Sequence, residues 1–116
     1  MTYICKTENE KKRFYIERFC GDCLYRLGIH ASDGGYAVID RNADFRVGDV
    51  VECTMHLGMN NSFLKQVKEI NGDSVTVGTA YADASRDFTF EAAEIYGVVL
   101  ETYERPHGFR EYKRGE

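Results

Sequence analysis

From Tyr36 onward the chain falls into short runs rich in Val, Ile, Thr and aromatic residues, separated by clusters of Gly, Asn, Asp and Ser. Such runs favour extended backbone, because β-branched and aromatic side chains pack well on a pleated surface. They predict strands near Tyr36 to Asp40, Asp49 to His56, Phe63 to Ile70, Ser74 to Ala80 and Ile95 to Thr102. Asn71-Gly72 is the sharpest local signal, since both residue types tolerate the positive φ that a type I′ hairpin turn demands. Leu57 to Ser62 and Tyr81 to Arg86 read as connections. Five strands with little helical pattern among them predict a mainly β domain, a compact curled antiparallel sheet or partial barrel.

The first 35 residues read differently. Thr7, with Glu10 three residues on, has the form of a helix N-cap, and Ile16, Cys20, Cys23, Leu24 and Leu27 recur at helical spacing before a stop at Gly28. Gly21 interrupts that pattern at a cost of about 1 kcal/mol relative to Ala. Arg13 to Phe19 fits a strand equally well. The expectation is therefore a candidate N-terminal helix within residues 1–35, a segment packed on a β domain at 36–103. A charged tail at 104–116 carries the single proline and is expected to fray or lie on the surface.

Composition narrows the function classes. A chain of 116 residues with 43% hydrophobic content supports one core, and eight Tyr and seven Phe argue against disorder. A net charge of -4 opposes a sequence-independent nucleic-acid binder, which needs a basic surface to displace counterions. No stretch approaches the roughly 20 consecutive apolar residues that span a bilayer, and the N-terminus runs straight into charge, so no membrane association and a cytoplasmic location are expected.

In a reducing cytoplasm the four cysteines, Cys5, Cys20, Cys23 and Cys53, are expected as thiols. Cys20-Gly21-Asp22-Cys23 has the spacing of half a zinc or redox site but lacks a second matched ligand pair. Ordinary buried thiols are the expectation, with Cys20 and Cys23 as weak metal candidates through Cys5 or Cys53, and no cofactor.

A succession of short motifs runs through the β region. Phe45-Arg46-Val47-Gly48-Asp49-Val50-Val51 places a Gly-Asp pair at the opening of a strand. Phe63-Leu64-Lys65-Gln66-Val67 follows with a lysine on the next strand, then Asn71-Gly72-Asp73-Ser74-Val75 at a hairpin and Gly97-Val98-Val99 on a late strand. In order and spacing, residues 38 to 100 resemble the catalytic core shared by LexA-type self-cleaving repressors and bacterial signal peptidases. The resemblance implies that fold, with Lys65 at the place of the general-base lysine. It puts Asp40 where the family has its nucleophilic serine and Arg41 where the following methionine stands; a loop one residue longer would put Ile39 there, so neither register supplies a hydroxyl.

An active member keeps such a lysine neutral by burial so that it can take the serine proton. Asp40 beside Lys65 would instead hold the ammonium charged, an ion pair that cannot acylate. Ser62 and Lys65 form Ser-x-x-Lys, but on a strand an odd offset sends the two side chains to opposite faces. Ser32, near His30 and Asp33, sits in a turn cluster. Residues 1–35 hold no Ala-Gly cleavage site and are too short for the repressors' DNA-binding domain, so a free-standing degenerate core is expected.

These readings favour a catalytically inactive LexA/signal-peptidase-like module, a regulator that binds a peptide, a protein or a second copy of itself along an exposed sheet edge. The competing readings are an active serine-lysine peptidase with an unrecognised serine and a small nucleic-acid-binding β-barrel whose Tyr and Phe stack on bases.

Overall fold

The chain is described from a computed structural model that covers residues 13–19, 24, 27, 29, 34–56, 60–79, 87–104 and 108–115, with side chains for all of these except 54–56 and 60–63. Eight strands account for most of it: β1 (Phe14–Phe19), β2 (Gly35–Asp40), β3 (Val50–His56), β4 (Asn60–Asn71), β5 (Ser74–Gly78), β6 (Phe88–Glu91), β7 (Ile95–Glu104) and β8 (Arg110–Lys113). They form one antiparallel sheet in the order β1-β2-β7-β3-β4-β5-β6, and it does not close into a barrel. The β8 strand pairs with β7 off this path.

The hub is β7. One of its edges pairs with β2 from Val98 to Glu104; its other edge pairs with β3 from Ile95 to Val98 and then with β8 from Glu101 to Tyr103. The sheet therefore has β3 and β8 end to end on one side of β7. Arg114, just past β8, closes the join with a fork onto Asp49 (2.9 Å from Nε and 2.9 Å from Nη2) and a bond from Nη2 to the Asp44 carbonyl at 2.6 Å.

Turn chemistry sets how β3 and β5 begin. The Asp49 N–H donates to the Arg46 carbonyl at 3.0 Å while Gly48 takes φ +98°, the positive value required at the third position of a type II turn. The β4–β5 hairpin pairs Asn71 with Ser74, so its two-residue loop is Gly72-Asp73. Gly72 has φ +60°, and no non-glycine residue described has positive φ. The hairpin thus forms as expected, but its turn sits one residue later than Asn71-Gly72 and meets the type II′ requirement, a glycine at the first central position, rather than type I′.

Alternation along the strands divides the core between the two faces of the sheet. One face gathers Ala37, Ile39, Val50, Leu64 and Val99 with Leu24 and Ile29, and Tyr15, Phe19, Leu27 and Tyr112 pack against it. The other gathers Val51, Cys53, Val67, Val75, Val77 and Val98. Neighbours such as Val50 and Val51, or Val98 and Val99, serve opposite faces, and all four are fully buried.

The predicted strands at 36–40, 49–56, 63–70, 74–80 and 95–102 correspond to β2, β3, β4, β5 and β7. Three readings need correction. Ile16 belongs to β1, the strand alternative for Arg13 to Phe19, rather than to the helical pattern, because residues 14–19 pair with the full length of β2. Asn60 to Ser62 extend β4 rather than a loop, since they pair with Thr54 to His56 of β3. The closing charged stretch contributes β8. Thr7, Cys20, Gly21, Cys23 and residues 81–86 lie outside the described residues, within which no helix is long and apolar enough to cross a membrane.

Candidate functional site

Asp40 ends β2 and is 3% exposed. Its carboxylate accepts a fork from Arg13, Nε to Oδ1 and Nη2 to Oδ2, each at 2.8 Å, and a third bond from the Asn42 N–H at 2.9 Å. Burial opposes its ionisation, but the Arg13 fork and the backbone N–H groups of Asn42 and Ala43 outweigh that and hold the carboxyl below its ordinary value. Arg13 arrives because β1 runs antiparallel to β2, with Phe14 opposite Asp40 and the Arg41 N–H bonded to the Arg13 carbonyl at 2.8 Å.

Lys65 lies on β4 in the same register row: Asp40 pairs with Val98, Val98 with Val51, and Val51 with Lys65. Directly paired residues share a face, so the two residues point to one side of the sheet. Three interstrand steps separate them, about 14 Å along the sheet. The counter-ion that Asp40 holds is Arg13, where an ion pair with Lys65 was expected. Lys65 acts on Cys53, pulling its thiol down, yet burial outweighs that and pushes the thiol up to about 11. Ser62 and Lys65 both fall on β4. Cys5, Cys20, Cys23, His30, Ser32 and Asp33 are outside the described residues, among which no three His, Cys, Asp or Glu side chains are grouped to hold a metal ion.

A second constellation lies on the other face. Glu52 follows Val50 at a spacing of two, so the pleat turns its carboxyl toward the core, where it is 5% exposed. The Tyr15 hydroxyl donates to Oε1 at 2.6 Å, and Oε2 is buried with no hydrogen-bond partner among the described residues. Tyr15 stands on β1 and Glu52 on β3, with β2 and β7 between, so only a curled sheet brings them together. Gly97 opens the path: a Cβ there would lie 2.5 Å from Ile39 Cγ2 and 3.0 Å from the Asp40 carbonyl oxygen.

Glu52 and Tyr15 share a cleft of about 370 Å³ with Glu17, Arg41 and Tyr96. Glu17 follows Tyr15 by two on β1. Arg41 places its guanidinium 4.4 Å from the centre of the Tyr15 ring, a cation–π contact. Tyr96 is the extra residue of a bulge: Gly97 pairs with Glu52 and Ile95 with Cys53, leaving Tyr96 without a register partner on β3 and turning it toward the cleft. Burial raises the Glu52 carboxyl first; the Tyr15 hydroxyl lowers it, Glu17 raises it and Arg41 lowers it, with a net rise. Burial and the Glu52 hydrogen bond both raise the Tyr15 phenol, which stays a donor.

One sequence signal does point here, an acid in the core-facing set of the Val50 to Cys53 run. Its partners on β1 and at Arg41 depend on strand order, which sequence spacing does not encode. Neither a known protein family, nor a curated protein, nor a solved structure matches the chain.

Proposed function

We propose that this chain is a catalytically inactive LexA/signal-peptidase-like module that binds a peptide or protein segment as an added strand on β1. The observation that carries the reading is that β1, the terminal strand of an unclosed sheet, supplies Tyr15 and Glu17 to the wall of a cleft. No described strand pairs with the outer edge of β1, so an incoming strand can take main-chain hydrogen bonds there while its side chains reach the cleft, the combination by which strand addition gains both affinity and selectivity.

The resemblance lends support through position. The Gly48-Asp49 turn, Lys65, the β4–β5 hairpin and Gly97-Val98-Val99 fall on or at the start of four successive strands of the sheet, β7-β3-β4-β5. Asp40, at the place of the family's serine, is a forked carboxylate with no proton for a base to remove.

The test is selection of displayed random peptides on the purified protein, followed by mapping of an enriched peptide through backbone amide shifts. Shifts concentrated on Phe14 to Phe19 are expected, with no labelling by a serine-directed acylating probe. Peptides that map to β6, or a serine labelled in the wild type but not in Lys65→Ala, overturn the reading. A concentration-dependent dimer paired through β1 would make the bound strand a second copy of this chain.

A further inference from the structure

We infer that the Glu52 cleft is a cation subsite, shaped to take a primary ammonium or guanidinium group such as the tip of a Lys or Arg side chain on the bound strand. This deepens the strand-binding reading and rests on it for the source of that group. Glu52 is 5% exposed and half satisfied: Tyr15 occupies Oε1, and Oε2 has no partner among the described residues. A buried polar atom without a partner costs about 1–3 kcal/mol, which a ligand that supplies the missing donor recovers. The terminal torsion of a glutamate is soft, so a small turn of the carboxyl offers Oε2 to a group in the cleft.

The walls select the charge of that donor. Glu17 adds a second carboxylate, and among the described lining residues the one guanidinium, that of Arg41, already lies over the Tyr15 ring. An entering anion would face both carboxylates. A cation meets their attraction and the faces or edges of Tyr15 and Tyr96, which favour positive charge. A volume of about 370 Å³ accommodates the end of a basic side chain with water around it. Among the described residues Tyr15, Glu17, Arg41 and Tyr96 are the titratable groups facing Glu52. Because burial favours the protonated acid, cation binding displaces a proton from Glu52, and affinity rises with pH.

Amide-shift titrations with four probes test this: N-acetyl-lysine methylamide, n-butylguanidinium, N-acetyl-norleucine methylamide and N-acetyl-glutamate methylamide. The two cations should perturb Tyr15, Glu17 and Glu52 and bind at least about tenfold more tightly than the norleucine probe. Glu52→Gln, which keeps an acceptor for Tyr15, should remove most of that preference and flatten the pH dependence that begins above the ordinary carboxyl value of 4.5. Glu17→Gln, on the edge strand, should weaken cation binding about threefold and guards against misreading a folding defect at position 52. Equal binding of lysine and norleucine probes, stronger binding of the glutamate probe, or an unchanged preference in both variants overturns the subsite. A displayed peptide that binds β1 equally well with norleucine in place of its basic residue removes the subsite and leaves the strand-binding reading standing. Lysine probe binding in the cleft while no peptide maps to β1 does the reverse, with the free amine as the ligand.

Discussion

Asp40 and Glu52 are both carboxylates more than nine-tenths buried in one small sheet, and their surroundings drive them in opposite directions. Asp40 accepts a guanidinium fork together with backbone N–H donors, and is held below its ordinary value. Among the described residues Glu52 receives one hydrogen bond, from a neutral phenol, and keeps one oxygen unpaired; its carboxyl is raised. Burial alone destabilises either ion; the number and charge of the donors decide the outcome. Asp40 thus behaves as a fixed structural corner joining β1 to β2, whereas Glu52 is a group with unused binding capacity beside a cleft.

The largest effect should come from removing the donor that separates the two cases. Arg13→Met leaves the Asp40 carboxylate buried with backbone donors only, and should cost about 3 kcal/mol of unfolding free energy in urea titration at neutral pH. Asp40→Asn, which takes the carboxylate from the half-exposed Arg13 instead, should cost less, about 2 kcal/mol. A loss below about 0.5 kcal/mol in Arg13→Met would mean that another cation takes over, and Lys65, in the same register row, could then be tested in the double variant.

Tyr15→Phe comes next, because it removes the one hydrogen bond that Glu52 holds among the described residues. A loss of about 1.5 kcal/mol is expected at pH 8, shrinking in a Glu52→Gln background, and a double-mutant cycle in urea reads the difference. The amide substitution itself should act with opposite sign at the two sites. Gln mimics the protonated acid that the fold prefers at position 52, so Glu52→Gln should stabilise by about 1 kcal/mol at pH 7. The pH windows follow from the directions of the shifts. The contribution of Asp40 is fully present above its ordinary 3.8 and is lost as pH falls through its lower folded value. Glu52 ionises more readily when unfolded, so its penalty is absent below its ordinary 4.5, grows as pH rises toward the higher folded value and then levels off. Melting temperatures from pH 3 to 8 should show Asp40→Asn flattening the acid limb, and the Glu52→Gln gain appearing only above pH 4.5.

Much of the sheet was legible because β-branched residues cluster where strands are buried: Val50-Val51, Val75 to Val77 and Val98-Val99 all belong to core-facing pairs. What escaped depends on partners distant in sequence. The four residues of β8, Arg-Glu-Tyr-Lys, carry three charges and look like tail; they become a strand because β7 extends past β3 and leaves an edge to fill. The short β6, Phe-Thr-Phe-Glu, is exposed along most of its length and shows no pattern that four residues could establish. The hairpin was found but misregistered by one residue, since both Asn71-Gly72 and Gly72-Asp73 are turn dipeptides and only the pairing of Asn71 with Ser74 chooses between them. At the candidate site the resemblance singled out position 40, and the structure shows a buried, hydrogen-bonded carboxylate there. Its counter-ion was not legible, because Arg13 reaches it across the β1–β2 pairing 27 residues away.

The smallest expected effect separates charge from burial at Glu52. Glu17 is only partly buried and acts on Glu52 across the cleft, raising it, while Arg41 lowers it. Replacing Glu17 by Gln removes the repulsion without touching the core or the Tyr15 bond. The Glu52 carboxyl, followed by its side-chain ¹³C resonance through a pH titration, should move down but stay above its ordinary 4.5, because burial is the larger cause. Arg41→Gln should move it the other way. Both changes should alter stability by less than about 0.5 kcal/mol, as expected for charges that water still screens. A fall to the ordinary value in Glu17→Gln would make Glu52 a carboxyl perturbed by its neighbour rather than by burial, and would dissolve the contrast with Asp40 at its physical root.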